Sequence, residues 1–484
     1  MKKFFVTTPI YYVNDKPHIG HMYSAVAADV LARYHAAKGE AVLFSTGVDE
    51  NSQKNIEAAQ KAGQAVKIYI DTMAQVWEST FKNLGLAYTH FVRTTSPEHA
   101  VAVEALIKKL EAKGDIYLGD YVGFYCVGCE EFKAPNQLAD GTCPIHKTVP
   151  KEIKEKNYFF KLTGYKDALL KHYAENPGFL QPESARNKML DYIENEIADI
   201  SISRQSQEWG IRLPNDPTHT VYVWFDALIN YLTVTGYPNE SYKKWWPADT
   251  HIIGKDIIKF HCAIWPAMLL GAGIELPKRI FAHGFFTING QKISKSLGNA
   301  IDPLGLAKEY PIDAIRFYLL REIPFGADGD FSLDHLQERY NADLANGLGN
   351  LVSRTLNMIE KFWPDFQDPP AVPRIAGRSG DKGDKGGWEI DKHLENLAFD
   401  KALELIWQTI AKADELIEQT KPWQLAKEGK DAEIKTTLTQ LYTWLLEINE
   451  NIAPFLPETH KKLTELLAAR PLKKPSEPLF ARKS

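Results

Sequence analysis

The chain has 484 residues and a formal net charge of −5, with 44% hydrophobic and 25% charged residues. This length supports a sizeable core and two to four domains, and the composition is that of a soluble globular protein. The charge excludes a global basic field for nucleic acid, although local basic patches would be enough to bind RNA.

The sequence predicts a cytoplasmic protein that does not bind a membrane. Polar residues interrupt the N-terminal apolar run, so it is no signal peptide, and the most apolar run, residues 262–274, is too short to cross a bilayer. The 4 cysteines in so long a chain do not form a disulfide scaffold, which favours a reducing compartment.

Strands and helices are predicted to alternate over residues 1–115. The segment from Phe4 to Val13 is rich in aromatic and β-branched residues, which favours a strand. Asn14 and Asp15 then suit a turn and a helix N-cap, and Pro17 suits the first helical turn. No Gly-x-Gly-x-x-Gly or Walker A motif follows the strand, so ordinary dinucleotide and P-loop sites are disfavoured.

Two histidines, His18 and His21, lie where this strand should pass into the helix. Free backbone N–H groups and the positive end of the helix dipole gather at such a point, which suits a phosphate. Gly20 between them leaves room for a ligand close to the backbone. Taken alone, the motif would more often be a pair of polar residues on an exposed helix end.

A second strand, from Ala41 to Thr46, is predicted to end near Asp49, and helical patterns follow over residues 52–84 and 97–113. Ligands of open α/β sheets bind at the carboxyl ends of the strands. We therefore expect Asp49 to face the same crevice as the two histidines.

Residues 116–205 change character, beginning with a predicted β ribbon from Tyr117 to Tyr125. Two pairs of potential metal ligands follow, and the spacing within each pair is that of a tetrahedral zinc knuckle. The predicted ligands are Cys126, Cys129, Cys143 and His146. They would close the coordination sphere, so we predict one structural Zn²⁺ per chain rather than three unconnected thiols and a surface histidine. Cys262 lies in an apolar stretch and is predicted to be a small buried hydrophobe.

Residues 206–335 return to α/β character. A buried strand from Tyr222 to Leu228 is predicted to run into a helix that carries Tyr231. Residues 251–256 are predicted to contain another strand end with a glycine turn, and His261 should lie on the helix that follows.

A strand from Arg279 to Phe286 is predicted to deliver a short loop, Lys292-Ile-Ser-Lys-Ser296. Its two lysines, Lys292 and Lys295, can bring ammonium groups onto a polyphosphate. By itself the loop would more often be only a solvated turn. Together with the two histidines it is much more specific, and the pair of motifs resembles the signature of class I aminoacyl-tRNA synthetases.

From Ser332 onward the pattern is helical. Ser332 suits an N-cap, long helices are predicted over residues 391–420 and 432–467, and the segment from Asp368 to Gly387 is predicted to be a flexible loop. An apolar stripe at helical spacing should face a core. Its members are Leu333, Leu336, Tyr340, Leu344, Leu348 and Leu351.

Over nearly its whole length the chain resembles the methionyl-tRNA synthetase family, in the shorter bacterial form with a single zinc knuckle. The resemblance implies a Rossmann-like parallel-sheet catalytic domain, split by a zinc-binding connective insertion and followed by an all-α helical bundle. Besides the knuckle, the matching segments are Thr8-Pro-Ile-Tyr-Tyr12, His18–His21, Thr46-Gly-Val-Asp49-Glu50, Tyr222-Val-Trp224-Phe-Asp226-Ala227, Gly254-Lys-Asp256, Phe260-His261, Lys292–Ser296, Asn350-x-x-x-Arg354 and Pro422-Trp423.

The domains expected from this match and from the changes in sequence pattern are five. They are the two halves of the nucleotide-binding catalytic domain (1–115 and 206–280), the connective insertion with its knuckle (116–205), the region that links through the lysine loop (281–335) and the anticodon-binding bundle (336–484).

The family activates L-methionine with ATP and Mg²⁺, giving methionyl-adenylate and pyrophosphate, and then charges tRNA(Met) and the initiator tRNA. The resemblance implies catalytic roles for His18, His21, Lys292 and Lys295, and it implies that these four bind ATP together with Gly20, Gly254 and Asp256. The methionine-binding residues it implies are Ile10, Tyr12, Asp49, Trp224, Ala227, Leu228, Tyr231 and His261. It implies anticodon reading by Asn350, Arg354 and Trp423, whose plain alternatives are a packing tryptophan and a solvated surface charge.

The sequence departs from the family pattern at Asn51-Ser52, where His-Gly is common, and at Leu228 and Ile293, where relatives often have Pro and Met. We expect no appended domain after the bundle, and therefore a monomer. One alternative is another class I synthetase, which the short insertion disfavours. The other is a non-catalytic tRNA-binding paralogue, which the intact histidines and lysines disfavour.

Overall fold

The computed structural model describes residues 2–128, 130–133, 138–144, 147–205, 207–288, 290–293, 300–366 and 385–483. The chain divides into two compact units. The first unit comprises Met1–Ala28 and Ala41–His283, and the second comprises Asp29–Glu40 and Gly284–Ser484.

The first unit is built on strands whose side chains are buried on both faces, as expected for a parallel sheet. The strands that the structure describes are β1 (Lys3–Tyr12), β2 (Ala41–Asp49), β3 (His90–Arg93), β4 (Ile116–Cys126), β5 (Glu131–Lys133), β6 (Lys151–Phe160), β7 (Leu180–Gln181), β8 (Ile200–Ser201), β9 (Ser203–Arg204), β10 (Arg212–Leu213), β11 (Asp216–Val221), β12 (Thr250–Gly254) and β13 (Ile280–His283).

Six of these strands form the central sheet, in the order β3-β2-β1-β12-β13-β7, and every neighbouring pair is parallel. Val6 of β1 pairs with Phe44 of β2 on one side and with Thr250 of β12 on the other. The carboxyl ends of β1, β2 and β12 therefore lie side by side at one edge. This confirms the predicted α/β core.

Helices follow the central strands, and a π-helix, Phe260–Ile264, precedes the ninth α-helix. The α-helices of this unit are α1 (Ile19–Ala37, whose residues from Asp29 belong to the second unit), α2 (Gln53–Lys61), α3 (Val66–Asn83), α4 (Pro97–Lys113), α5 (Lys166–Glu175), α6 (Glu183–Asn195), α7 (Val223–Ala227), α8 (Asn230–Thr233) and α9 (Trp265–Ala272).

Two smaller sheets lie between the halves of the central sheet in sequence. One has the order β5-β4-β6-β8, and its antiparallel β4–β6 pair contains the predicted ribbon. The other has the order β10-β11-β9. The strand predicted from Tyr222 to Leu228 is wrong, because β11 ends at Val221 and α7 begins at Val223. Most residues of α7 are apolar and buried, and so short a run cannot be told from a strand by its pattern.

The second unit is mainly helical, as predicted, and a small sheet of order β15-β14-β16 precedes its helices. Its described elements are β14 (Phe286–Ile288), β15 (Gln291–Lys292), α10 (Pro303–Glu309), α11 (Ile312–Arg321), β16 (Gly329–Asp330), α12 (Leu333–Arg339), α13 (Asn350–Phe362), α14 (Lys385–Glu395), α15 (Phe399–Thr420), α16 (Pro422–Lys427), α17 (Asp431–Ile452) and α18 (Pro457–Ala468), with a π-helix, Tyr340–Gly349, joining α12 to α13.

Several predicted boundaries in this unit need correction. The strand predicted from Arg279 to Phe286 is two strands, β13 and β14, in different sheets. The helix predicted over 391–420 is interrupted between α14 and α15, where Leu397 has a φ of 56°. The helix predicted over 432–467 is interrupted before Pro457, because proline cannot continue a hydrogen-bonded helix.

Ser332 is the N-cap of α12, since its hydroxyl accepts a hydrogen bond from the backbone of His335. The apolar stripe is buried except for Leu333, which is 51% exposed. The predicted loop from Asp368 to Gly387 lies largely outside the described residues, but its last three residues belong to α14. No helix in the described parts of the chain is long and apolar enough to span a membrane.

Candidate active site

The two histidines lie between the carboxyl end of β1 and the first turn of α1. The helix begins at Ile19, and the carbonyl of His18 accepts the first helical hydrogen bonds, from His21 and Met22. The predicted N-cap at Asn14 or Asp15 is therefore wrong, and Pro17 precedes the helix. The helix starts four residues after Asp15 and two residues after Pro17.

Hydrogen bonds fix the tautomer of the two histidines. The backbone N–H of Gly20 donates to Nδ1 of His18 at 3.2 Å, and the backbone N–H of His18 donates to Nδ1 of His21 at 3.1 Å. Because both Nδ1 atoms are acceptors, each neutral imidazole carries its proton on Nε2. The motif thus offers two Nε2–H donors.

Packing holds the two rings in place. The ring centroids of His18 and His21 are 3.7 Å apart, and His21 also contacts Tyr11 and Trp77, with centroids 5.1 and 4.8 Å away. A Cβ atom at Gly20 would lie 3.0 Å from Cε1 of His18. The glycine therefore makes room for the imidazole of His18 as well as for any ligand.

Asp49, at the end of β2, is a carboxylate with only 3% of its surface exposed. Burial, and next the charge of Asp226, raise the pKa of Asp49 well above its usual range. Its neighbour Glu50 is also buried, but Glu50 accepts hydrogen bonds from Arg93 and Thr95. Glu50 is structurally satisfied, whereas Asp49 is poised to gain from a cation.

Aromatic side chains from four elements form a continuous cluster next to this carboxylate. The rings of Tyr12 and Trp224 meet edge to face at 6.5 Å, and Trp224 stacks on Phe260 at 3.9 Å. Trp224 also contacts His261 at 6.1 Å, and His261 lies 5.7 Å from the ring of Tyr231. Four of the predicted methionine-binding residues, from β1, α7, α8 and the π-helix, are thus brought together.

The remaining predicted members of this pocket differ in exposure. Ala227 and Leu228 are buried, and Ile10 is partly buried at the end of β1. The hydroxyl of Tyr12 and Nε1 of Trp224 are buried, and neither has a hydrogen-bond partner among the residues that the structure describes. Gly254 ends β12 and is buried, whereas Asp256 is exposed in the 3-10 turn that follows.

His261 is held as a neutral imidazole. Its Nδ1 lies 3.0 Å from the carbonyl oxygen of Ile257, which can only accept, so Nδ1 carries the proton. Its Nε2 then accepts the hydrogen bond from the hydroxyl of Tyr231 at 2.8 Å. Burial lowers the pKa of His261 to about 4.

One buried polar network at this site was not predicted from the sequence. The side-chain amide of Asn51 donates to Asp226 at 2.7 Å, and Asp226 also faces Nε2 of His99 at 2.6 Å. Nδ1 of His99 lies 2.9 Å from the hydroxyl of Thr233. The partners come from four separate segments, so no local motif in the sequence could have revealed them.

The lysine loop is only partly described. Gln291–Lys292 forms β15, which pairs with β14, so Lys292 lies on a strand rather than in a loop. The side chain of Ile293 is buried. Lys295 lies outside the described residues, and its role stays a prediction.

The predicted zinc ligands are likewise split. Cys126 ends β4 and Cys143 lies in a turn closed by a hydrogen bond from Lys147 to its carbonyl, and both side chains are buried. Cys129 and His146 lie outside the described residues. No group of three or more potential metal ligands occurs within the described ranges, so the zinc site stays a prediction. Cys262 is buried as predicted.

The predicted anticodon residues lie in the second unit. Asn350 is exposed at the start of α13, and Arg354, one turn further on, forms ion pairs with Glu418 at 2.7 Å and Asp414 at 3.5 Å. Trp423 is 38% exposed in α16. The ion pairs hold Arg354, and the exposure of Trp423 leaves its indole accessible. Their part in anticodon reading stays a prediction.

The chain matches known proteins over its whole length. The family model of class I tRNA synthetases (M) matches residues 4–149 and 133–356. The methionine–tRNA ligase of Caldanaerobacter subterraneus subsp. tengcongensis is 45% identical over 96% of this chain and 74% of its own length. That of Thermotoga maritima is 42% identical over 95% of this chain and 74% of its own length.

Solved structures agree with these relatives. The methionyl-tRNA synthetase of Mycobacterium tuberculosis in complex with methionyl-adenylate has a TM-score of 0.93 at 38% identity and covers 100% of both chains. Its apo form has a TM-score of 0.83 at 35% identity and covers 100% of this chain and 99% of its own. The chain belongs to the methionyl-tRNA synthetase family of class I tRNA synthetases.

Proposed function

We propose that this chain is a methionine–tRNA ligase that joins L-methionine to ATP, releases pyrophosphate, and transfers the methionyl group to the 3′ end of tRNA(Met) and initiator tRNA. The observation that most strongly supports this is the likeness along the whole chain to a solved synthetase bound to methionyl-adenylate. The relatives reported above are all methionine enzymes, which disfavours the other class I specificities. The cytoplasmic location and the monomeric state stay predictions.

In the first step a carboxylate oxygen of methionine attacks the α-phosphorus of ATP, and the bond to pyrophosphate breaks. Such a reaction is accelerated mainly by positioning and by stabilising the charge on the phosphate oxygens. The two Nε2–H groups of His18 and His21 suit those oxygens, as does the start of α1. By resemblance, Lys292 and Lys295 neutralise the departing pyrophosphate, whose counter-ion is Mg²⁺.

The methionine site is proposed at the carboxyl ends of β1 and β2. Asp49 would bind the α-ammonium group, since a buried carboxylate gains from an opposite charge. A thioether prefers polarizable, apolar walls, which the aromatic cluster supplies. The proposed wall residues are Ile10, Tyr12, Trp224, Ala227, Leu228, Tyr231 and His261, while Gly254 and Asp256 are assigned to the ribose and adenylate by resemblance.

A structural Zn²⁺ is proposed for the inserted region, held by Cys126, Cys129, Cys143 and His146. The two described cysteines fit this role, since both thiols are buried, that of Cys126 at the end of β4 and that of Cys143 in a turn. With four protein ligands the metal would cross-link these turns and leave no position for substrate.

Methionine-dependent exchange of pyrophosphate into ATP tests the proposed function directly. The purified full chain should support exchange with methionine and not with leucine, isoleucine, valine or cysteine, and it should charge tRNA with a methionine anticodon. Exchange with another amino acid would replace the specificity, and no exchange with any of them would favour a non-catalytic tRNA-binding paralogue.

A further inference from the structure

Asn51 lies between two buried carboxylates, Asp49 and Asp226. Its backbone N–H donates to Oδ1 of Asp49 at 3.3 Å, while its side-chain amide donates to Oδ2 of Asp226 at 2.7 Å and to the carbonyl of Thr94 at 3.2 Å. Asn51 therefore contacts both acids, Asp49 through its backbone N–H and Asp226 through its side chain. Its own backbone carbonyl accepts a hydrogen bond from Gln207 at 3.1 Å, which holds the turn from the other side.

Asp226 is anchored independently of Asn51. It is fully buried on α7, and its second oxygen lies 2.6 Å from Nε2 of His99, which must carry a proton because a carboxylate can only accept. His99, on α4, is itself buried and lies 2.9 Å from the hydroxyl of Thr233 on α8. Three helices thus fix Asp226 against the end of β2.

We propose that Asn51 and Asp226 are positioning residues for methionine: Asp226, anchored by His99, orients Asn51, and Asn51 orients Asp49 towards the α-ammonium group. This inference rests on the proposed function. It assigns Asp226 a second effect, because its charge stands beside Asp49 in a buried environment and increases the gain from a bound cation. It also gives a role to a position where the chain departs from the common family sequence.

The groups that face Asp49 make the electrostatic part testable. Besides Asp226 they are Glu50 at the end of β2, Glu130 beyond β4 and Tyr12 at the end of β1. Glu50 is paired with Arg93, and Glu130 accepts from the backbone of Lys54 and the hydroxyl of Tyr125. Burial, and next Asp226, raise the pKa of Asp49, so replacing Asp226 by a neutral residue should lower it.

The first test compares variants of Asn51 in pyrophosphate exchange by the full chain. Asn51→Ala should raise KM for methionine about tenfold or more and change KM for ATP and kcat less than about twofold, because the lost side-chain hydrogen bonds to Asp226 and Thr94 hold the turn whose backbone N–H contacts Asp49. Asn51→His, which retains a side-chain N–H donor, should restore KM for methionine to within about threefold. Asn449→Ala is the matched control, since Asn449 is a buried asparagine of the second unit that donates to Thr464.

The second test is a pH profile of kcat/KM for methionine, which reports ionisations of the free enzyme. The acid limb of Asp226→Asn should lie at a lower pH than that of the unmodified chain. If kcat falls and both KM values change in step with a fall in the melting temperature, the network is merely structural. If the acid limb of Asp226→Asn does not move, Asp226 has no electrostatic role. If Asp226→Asn does not fold, the variants Asn51→Ala and Asn51→His alone test the positioning role. Absence of methionine-dependent exchange in the unmodified chain would instead overturn the proposed function.

Discussion

The Nε2 atoms of His18 and His21 are the atoms through which the histidine pair would donate hydrogen bonds to a ligand. Backbone N–H groups occupy both Nδ1 atoms, so each Nε2 is a donor when the ring is neutral and remains one when the ring is protonated. Contact with phosphate oxygens therefore does not require an imidazolium. In their neutral form the two side chains are positioned Nε2–H donors.

This tautomer makes a prediction about His21. His21→Ala should slow methionine-dependent pyrophosphate exchange roughly a hundredfold, because losing one positioned donor from a phosphoryl transition state costs on the order of 3 kcal/mol. KM for methionine should change little. His21→Gln, whose amide N–H reaches close to the Nε2 position, should recover part of the rate. His90→Ala is the control, since His90 is exposed at the start of β3; equal losses in the two variants would contradict the assignment.

At the scale of single residues, the sequence identifies residues whose chemical type already indicates a role. His18, His21 and Asp49 stand at a strand end or a helix start, and Trp224 and Tyr231 belong to a matching motif. Asn51 was noticed only as a departure from the family pattern, because its partner Asp226 lies 175 residues away along the chain, and the contact between Asp226 and His99 spans 127 residues. Such a contact exists only after folding.

At the scale of the element, the knuckle between β4 and β6 is expected to need its metal. The full chain should contain one zinc per molecule, and Cys129→Ser should reduce the bound metal while weakening the inserted region, because loss of one of four ligands opens the coordination sphere. Elemental analysis of the purified protein measures this. Cys262→Ala is the matched control, since Cys262 is a buried thiol on the π-helix. Undiminished zinc in Cys129→Ser would eliminate the proposed ligand set.

The short helix α16 carries the prediction about tRNA. Trp423→Ala should reduce aminoacylation of tRNA with a methionine anticodon roughly five- to hundredfold, because stacking of a base on an aromatic ring contributes about 1–3 kcal/mol. Exchange without tRNA should be nearly unchanged. Trp388→Ala provides the comparison, since Trp388 is an exposed tryptophan of α14, 64% accessible, that no motif connects with tRNA. A parallel fall of exchange and aminoacylation would make Trp423 a packing residue.

The pattern of the sequence predicted most elements correctly where they are long and periodic. It failed where a helix is interrupted without a change in composition, as between α14 and α15, and where a short helix is mostly apolar and buried, as in α7. It also placed Lys292 in a loop, although pairing with Thr287 makes it a strand residue. In each case the deciding interaction comes from a neighbouring segment, which a window of sequence does not contain.

For the whole molecule, buried neutral histidines predict how stability depends on pH. The pKa of His261 is lowered to about 4 by burial, and that of His251 is lowered well below its usual value. Between pH 6.5, the usual value for an unfolded histidine, and pH 4 the unfolded chain binds a proton that the folded chain does not. The free energy of unfolding contributed by such a group is complete above this window and falls as the pH is lowered through it.

A variant isolates this effect from the many other titrating groups. When the pH is lowered from 7 to 5, the free energy of unfolding of the first unit should fall by about 2 kcal/mol less in His261→Gln than in the unmodified chain, because one histidine no longer titrates. Glutamine retains an acceptor for Tyr231. Urea denaturation at the two pH values measures the difference, with the exposed His335→Gln as control. Identical pH dependence in His261→Gln and the unmodified chain would contradict the assigned protonation state.

The order of strands in the central sheet has a consequence for synthesis on the ribosome. β1 lies between β2 and β12, and its contact with β12 joins Thr7 to His251 across 244 residues. At about 5–20 residues per second, β1 waits roughly ten to fifty seconds before its second neighbour is translated. Throughout that interval the nascent chain carries an apolar strand with one unpaired edge, which is a template for association with other chains. The catalytic sheet can therefore close only late in translation, and shielding β1 until then is a task for the chaperones of the cell.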